Sequence, residues 1–384
     1  MKYKNEKRIV INVIYIIAIC AVLFSCFFAD KLSVLFFLKP NYEFSNNTEI
    51  HFINVGQGDA IAIKFDNGKV MLIDTGTERY RKKFQNYLDN VVLEGSKNID
   101  YLVLTHTDND HSGNMMFVLE NYNIGTFYRP PVLSSLEDKF STKTTYWYDL
   151  IIKYCLNNDI DMEFNQDGLI LNEGFSQIRW FGPLRMYEPE VFDSNELCPV
   201  IRIDYNNHSA LLTGDISEEN EKDIMSKYSA DELDVDILKL AHHGSYKSNT
   251  YDFISKTSPN FACVSVGENT YKQPSHLVYE RILDYDSEYN KNLYSNFYST
   301  LNDGNVIFTL SNDISVKTIA NIDNYSFVSY YLCVLVAILI LVIFMMIPYI
   351  QVWKKNLRFY MQNKKFEKLN KLKEDNENFS KNDH

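Results

Sequence analysis

The amino-acid sequence predicts an α/β domain set between two transmembrane helices. Three observations lead there: two apolar runs of membrane length, an opening of alternating strands, and later apolar strands that end in acids and histidines. With 384 residues, 46% of them hydrophobic and 23% charged, the chain falls outside the disordered, collagen-like and coiled-coil classes. It can bury one large core or two modest ones.

The first apolar run, residues 9–28 (IVINVIYIIAICAVLFSCFF), has the length of a hydrocarbon core, with Asn12 and Ser25 as its strongly polar members. The second, residues 327–350, is longer and carries Tyr330, Tyr331 and Tyr349 near its ends, where aromatic belts sit. Lys2, Lys4, Lys7 and Arg8 precede the first run, and Lys354, Lys355, Arg358, Lys364 and Lys365 follow the second. Positive flanks stay in the cytoplasm. The expectation is a two-pass protein of the cell membrane, in contact with the lipid bilayer, with a cytoplasmic N-terminus (1–8), an extracytoplasmic domain (45–320) and a basic cytoplasmic tail (351–384). A rival reading takes Leu23-Phe24-Ser25-Cys26 as a lipoprotein processing site after an apolar signal region, which also leaves the domain outside. In the tail, Leu357, Tyr360, Met361, Phe366 and Leu369 stand at helical steps among charges. That pattern fits a helix on an anionic leaflet as well as it fits a solvated tail.

Charge is unevenly spread. Residues 1–47 and 351–384 hold 15 of the 38 basic residues but 8 of the 50 acidic ones, leaving 23 basic and 42 acidic residues in 48–350, a net of −19. Such a middle is a poor footprint for nucleic acid, which is bound largely by neutralising phosphates. Of six cysteines, Cys20, Cys26 and Cys333 lie in apolar runs, and Cys155, Cys198 and Cys263 are far apart without C-x-x-C spacing. Neither a disulfide framework nor a thiolate zinc site follows.

From residue 49, EIHFINVG alternates as a strand, AIAIKF forms a second after Gly56-Gln57-Gly58-Asp59, and KVMLID a third ending at Asp74-Thr75-Gly76. IDYLVLTH is then continuously apolar, as in a strand covered on both faces, and stops at Thr105-His106. The next residues, His106-Thr107-Asp108-Asn109-Asp110-His111-Ser112-Gly113, lead into a helix whose apolar positions are Met115, Met116, Val118 and Leu119. Four potential metal ligands fall within six residues. On a loop, His106 and Asp108 can face one way and Asp110 and His111 the other, giving two adjacent metal positions. The plain alternative, a capping loop with Asp110 or Ser112 as the cap, accounts for one or two of the four. HSALLTGD ends at Asp215 and is followed by a polar helix; DVDILKLAHHGS ends in His242-His243-Gly244-Ser245. Asp215 alone would read as an N-cap and the histidine pair as polar surface, but three acid/His clusters at three strand ends point together to a metal centre.

The order NVGQGDA, VMLIDTG, LTHTDNDHSG, LLTGD, LKLAHHGS, with RWFGP (179–183), SNELCPVIRI (194–203) and YSTLNDGNVIFTL (298–310), resembles the metallo-β-lactamase superfamily, and within it the extracytoplasmic hydrolase domain of ComEC-type competence proteins. The resemblance covers about Glu49 to Ile319 and implies an αββα metallo-β-lactamase sandwich with its metal site along one sheet edge. It places His106, Asp108, Asp110, His111, Asp215 and one of His242 and His243, with His243 favoured, on the positions of ligands to two divalent metal ions, Zn2+ or Mn2+. The chain departs from the pattern in three places. The wider superfamily has His where this chain has Asp108. No His occurs between 112 and 207, where Asn195 and Cys198 stand instead. Gln273-Pro274 replaces the His-Pro of the competence branch, with His276 displaced.

The implied activity is hydrolysis by a dinuclear metal-activated water, with Asp110 and Asp215 as catalytic carboxylates. An oxygen-rich position at Asp108 shifts preference from zinc toward manganese or magnesium, and toward phosphate esters over amides. Ser245, Lys247, His276 and Asn195 are the candidate substrate contacts; Lys239 and Lys272 also lie near the motif ends, though surface lysines are common. The leading expectation is a membrane-anchored, outward-facing phosphodiesterase or nuclease acting on a phosphodiester, nucleic acid included. The alternatives are the same chemistry on a cell-envelope or nucleotide ester, which the −19 favours, and a non-catalytic envelope binding module.

Overall fold

The computed structural model describes residues 45–137, 146–185, 194–319 and 346–368. Residues Pro40–Ile322 form one compact unit, built on two sheets. In the first sheet, β1 (Thr48–Phe52), β2 (Ile61–Lys64) and β3 (Val70–Ile73) run antiparallel, and β4 (Asn98–Val103), β5 (Asn123–Arg129) and β6 (Asp161–Phe164) continue in parallel from β3. In the second, β7 (Ile170–Glu173), β8 (Ser176–Phe181), β9 (Val200–Tyr205) and β10 (His208–Leu212) are antiparallel, and β11 (Ile237–Lys239), β12 (Phe261–Val264) and β13 (Phe297–Ser299) extend β10 in parallel. Strands β14 (Asn305–Leu310) and β15 (Ile314–Ile319) return to close the first sheet on the β1 side. Each sheet therefore has an antiparallel half and a parallel half.

Side chains of a strand alternate between faces, and here both faces are covered. Ile61 and Ile63 of β2, Met71 and Ile73 of β3 and Val103 of β4 pack with Trp180, Ile201, Ile203, Ala210 and Leu212 between the sheets. Their neighbours Ala62, Val70, Leu72 and Leu102 turn the other way. They meet α1 (Arg81–Tyr87), α3 (Met115–Asn121) and α4 (Tyr146–Asn157), with α2 (Asn109–Ser112) lying just before α3. The second sheet buries Val200, Leu211 and Leu238 against α5 (Glu218–Lys227), α6 (Tyr251–Thr257) and α7 (His276–Tyr289). Three buried layers thus define an αββα sandwich. Each fully buried Ile, Leu or Phe adds about 1.5–3 kcal/mol to that assembly.

The expectation of two membrane-crossing helices is corrected here. No helix among the described residues is long and apolar enough to cross a membrane. Residues 9–28 and 327–345 lie outside the described residues. Residues 346–368 do form an exposed helix, but Lys354, Lys355 and Arg358 interrupt its apolar stretch. The fold class supported among the described residues is the α/β sandwich.

Candidate metal centre

The parallel halves of both sheets send their strand ends to one edge, the position where α/β sheets collect ligands. Beyond β4 come His106 and α2, beyond β10 Asp215, and beyond β11 the His242–His243 turn. The structure brings His106, His111 and Asp215 together with ligand atoms within 4.8 Å of one another, and Asp110, His111 and His243 likewise. This grouping differs from the expected pairing of His106 with Asp108. Because residues 109–112 form a helical turn rather than a loop, His111 swings inward and stands between the two groups.

Each imidazole is oriented by a partner behind it. His111 Nδ1 lies 2.7 Å from Asp74 Oδ2, which leaves Nε2 facing Asp215 Oδ2 at 3.3 Å. Asp74 itself accepts from the Thr105 amide (2.8 Å) and hydroxyl (2.6 Å), all buried. His243 Nδ1 donates to the Ser265 carbonyl at 2.8 Å, and its Nε2 meets Asp110 Oδ2 at 3.2 Å and Asp215 Oδ2 at 3.3 Å. His106 Nδ1 is 3.0 Å from Thr105 Oγ1 and 3.3 Å from Cys198 Sγ. Backing one ring nitrogen fixes which nitrogen faces a metal.

Buried His106 Nε2 and Asp215 Oδ1 have no hydrogen-bond partner. A buried polar atom left unmade costs about 1–3 kcal/mol, so these atoms fit the role of metal ligands. Burial, with the neighbouring His111 charge, pushes His106 down to about 3. Burial opposes charge on His243, but Asp215 and the bonds to Asp110 and Asp215 outweigh it and hold its pKa at about 10. His111 is likewise raised despite burial, by Asp215 and Asp74. Burial works against ionised Asp110 and Asp215 too, yet the facing histidines hold both well below the usual carboxylate range. Divalent cations bound at such nitrogens would take the place of these protons.

The remaining candidates lie at or beyond the margin. Asp108 is half exposed, accepts from Ser194 Oγ at 2.6 Å and stands 3.8 Å from His106 Nε2. His242 is a third exposed, with Nε2 3.9 Å from Asp215 Oδ2; of the pair, His243 is the inner residue. Ser245 is buried and its hydroxyl accepts from the Lys247 amide within its own turn. The Lys247 ammonium sits in the open over Tyr246. His276, largely exposed, pairs with Glu280 one helical turn on. Asn195 occupies a short 3-10 turn (Ser194–Leu197), where its carbonyl accepts from the Cys198 amide. Burial raises the Cys198 thiol well above its ordinary pKa, which leaves it a neighbour of His106 in neutral form.

Two contributors, Asp74 and Asp59, were not singled out from the sequence, and a third, Lys239, was noted there only among the lysines near the motif ends. Asp74 orients His111. Asp59, fully buried, pairs with the equally buried Lys239 at 2.7 Å, and Lys239 also donates to the Gly214 carbonyl beside Asp215. Asp74 ends an apolar strand as Asp215 does, so the same cue was present. Nothing local marks Lys239 as buried.

Residues 53–180 match the model of the metallo-beta-lactamase superfamily. The chain is 27% identical over 263 residues to ComE operon protein 3 of Bacillus subtilis, covering 64% of this chain and 32% of that protein. It is 26% identical over 245 residues to competence protein ComA of Neisseria gonorrhoeae (64% and 31%) and 28% over 294 residues to recombination protein 2 of Haemophilus influenzae (74% and 31%). The chain thus spans about a third of the length of these curated relatives. A solved structure with a similar fold is Igni18, a metallo hydrolase from Ignicoccus hospitalis, at 14% identity and a TM-score of 0.43 over 69% of this chain and 100% of that one. Sandwich, strand-edge cluster and family match together define a metallo-β-lactamase domain, a fold of metal-dependent hydrolases that implies divalent metal ions. Within that class the domain is similar to ComEC-type competence proteins.

Proposed function

We propose that the domain hydrolyses phosphodiesters with two divalent cations held between its sheets. One observation carries this: two ligand groups share His111 and stand beside Asp215, with buried His106 Nε2 and Asp215 Oδ1 unbonded. His106, His111 and Asp215 would hold one cation, and Asp110, His111 or Asp215, and His243 the other. Cations there supply a Lewis acid and a water whose pKa is lowered toward neutrality. Asp110, a third exposed, faces both solvent and His243 and stays ionised, as a cation ligand requires. Asp108, marginal and oxygen-bearing, supports a hard cation such as Mn2+ and an ester of phosphate. The likeness to competence proteins supports nucleic acid as that ester.

The net of −19 over 48–350 favours a second reading in which the ester is a nucleotide or a cell-envelope component. Placement at the outer face of the cell belongs to the same proposal; protease treatment of intact cells tests it, and a domain cut only after lysis would remove it. For the chemistry, the full chain is assayed with Mn2+ or Zn2+ on bis-p-nitrophenyl phosphate, single-stranded DNA and nucleotide esters. Turnover that requires Asp110 and Asp215 is expected. Stoichiometric metal binding with no turnover of any ester would leave a binding module instead.

A further inference from the structure

The turn that carries His243 is in an uphill conformation. His242 (φ 50°), His243 (φ 54°) and Gly244 (φ 78°) are three successive residues in the left-handed region, where a Cβ crowds the following carbonyl of a non-glycine residue. Such backbone persists only where its surroundings over-determine it. Part of the restraint is local, since the His242 carbonyl accepts from the Ser245 amide at 2.9 Å. Another part arrives from a distant segment. Gln273 Nε2 donates to the same His242 carbonyl at 3.1 Å. Gln273 Oε1 in turn accepts from Gln57 Nε2 at 2.9 Å, and Gln57 Oε1 accepts from the Gly267 amide at 3.2 Å. The Gln273 backbone is pinned on both sides by Asn269, whose Oδ1 accepts from its amide (3.1 Å) and whose Nδ2 donates to its carbonyl (2.8 Å).

Three hydrogen bonds thus run in one direction, from Gly267 through two side-chain amides to the backbone of the histidine turn. Gln57 belongs to the β1–β2 loop of the first sheet; Gln273 and His242 belong to the second. The same Gly56-Gln57-Gly58-Asp59 turn reaches the other side of the centre, because the Asp59 amide donates to the Asp110 carbonyl at 3.2 Å. Gly58 allows this approach: a Cβ there would stand 2.3 Å from the Asp110 oxygen. One loop of the first sheet therefore touches both ligand-bearing segments.

We infer that Gln57 and Gln273 are positioning residues, an amide brace across the two sheets that holds the left-handed His242–His243 turn so that His243 Nε2 stays beside Asp110 and Asp215. The inference rests on the metal-binding reading above. Gln273 stands where the resemblance expected a histidine to meet substrate; instead of reaching substrate, its side chain is spent on the backbone. Groups behind a metal ligand typically alter metal affinity about 10–100-fold.

The test measures Mn2+ binding to the full chain by titration calorimetry, independent of any turnover. Gln273→Leu and Gln57→Leu keep side-chain bulk and remove the amides. Each is expected to weaken Mn2+ binding about tenfold while the melting temperature in chelator stays at the wild-type value. The double variant is expected to be no weaker than the weaker single one, because one continuous chain is broken either way. Unchanged Mn2+ affinity in Gln273→Leu, additive losses in the double variant, or a fall in apo melting temperature that matches the lost affinity would each overturn the brace. A wild-type protein that binds no Mn2+ sinks the hydrolase reading and the brace with it, whereas normal wild-type binding with unaffected variants sinks the brace alone.

Discussion

His106 to His111 take ordinary backbone conformations, and their orienting partners come from the adjoining strand end, Asp74 and Thr105. His242 to Gly244 run through three positive φ values. Their supports are dispersed: the Ser265 carbonyl on the β12 end, Gln57 and Gln273, Pro274 packed against Gly244, and Asn249, whose side chain clasps the Ala241 backbone. The first half is backed mainly by two neighbouring strand ends, with Asp74 itself at a positive φ, whereas the supports of the second are drawn from more widely dispersed segments. The second half is therefore the more sensitive to substitutions that touch no ligand.

Several changes would break or sharpen that contrast. The largest effect belongs to the residue the two halves share: Asp215→Ala leaves His111 and His243 without their common carboxylate, and should reduce both Mn2+ binding and ester hydrolysis to background, measured by calorimetry and product release. Retained tight Mn2+ binding would show that the halves do not depend on it.

Next is the scaffold of the left-handed turn. Glu221 is buried and accepts from the Asn249 and Thr250 amides and the Thr250 hydroxyl. Burial raises its pKa from the ordinary 4.5 to about 7, outweighing those bonds. A raised folded-state pKa means that the folded state holds the proton more tightly, so this group's stabilising contribution is full below pH 4.5 and is lost as pH rises through 7. The loss should reach about 3 kcal/mol. Urea unfolding in chelator at pH 5 and pH 8, compared between wild type and Glu221→Gln, isolates it; an equal pH dependence in the two proteins would contradict the assignment.

Asp74→Asn tests the locally supported half. An amide cannot accept from both Thr105 and His111 as the carboxylate does, so Mn2+ affinity should fall about 10–100-fold with the fold intact by circular dichroism. Gly244→Ala is expected to cost about 1–2 kcal/mol in unfolding free energy, because a Cβ there would meet Pro274 at 2.7 Å with φ at +78°. Lys247→Ala, in the open and outside the cluster, should change stability by less than about 0.5 kcal/mol and leave Mn2+ affinity alone. A marked loss of ester binding in that variant would restore Lys247 as a substrate contact.

Legibility followed the same division. Strands β1 to β4, β10 and β11 were marked by alternation or by apolar runs, and Asp110, His111 and Asp215 were marked because acids and histidines stood where those runs stopped. Asp74 carried the same mark and was passed over. The short helix over 109–112 was not legible, since Asp and Asn are weak helix formers and long-range contacts, the Gly58 turn on Asp110 and Thr75 on the His111 carbonyl, help to fix it. Nothing near Gln57, Gln273 or Lys239 in sequence announces a partner about 200 residues away. The exposure of His276 likewise followed from the pitch of α7, which turns it toward Glu280.

The sequence by itself marked several strands and the acids and histidines at their ends, because side-chain period and the ends of apolar strands are properties of a few neighbouring residues; the sandwich was implied by the family resemblance. Tertiary structure alone decided which imidazole nitrogen faces inward, that His243 rather than His242 lies beside Asp110, and that a buried Lys239–Asp59 pair underlies the centre. Those outcomes depend on long-range hydrogen bonds and desolvation, which exist only once both sheets have met.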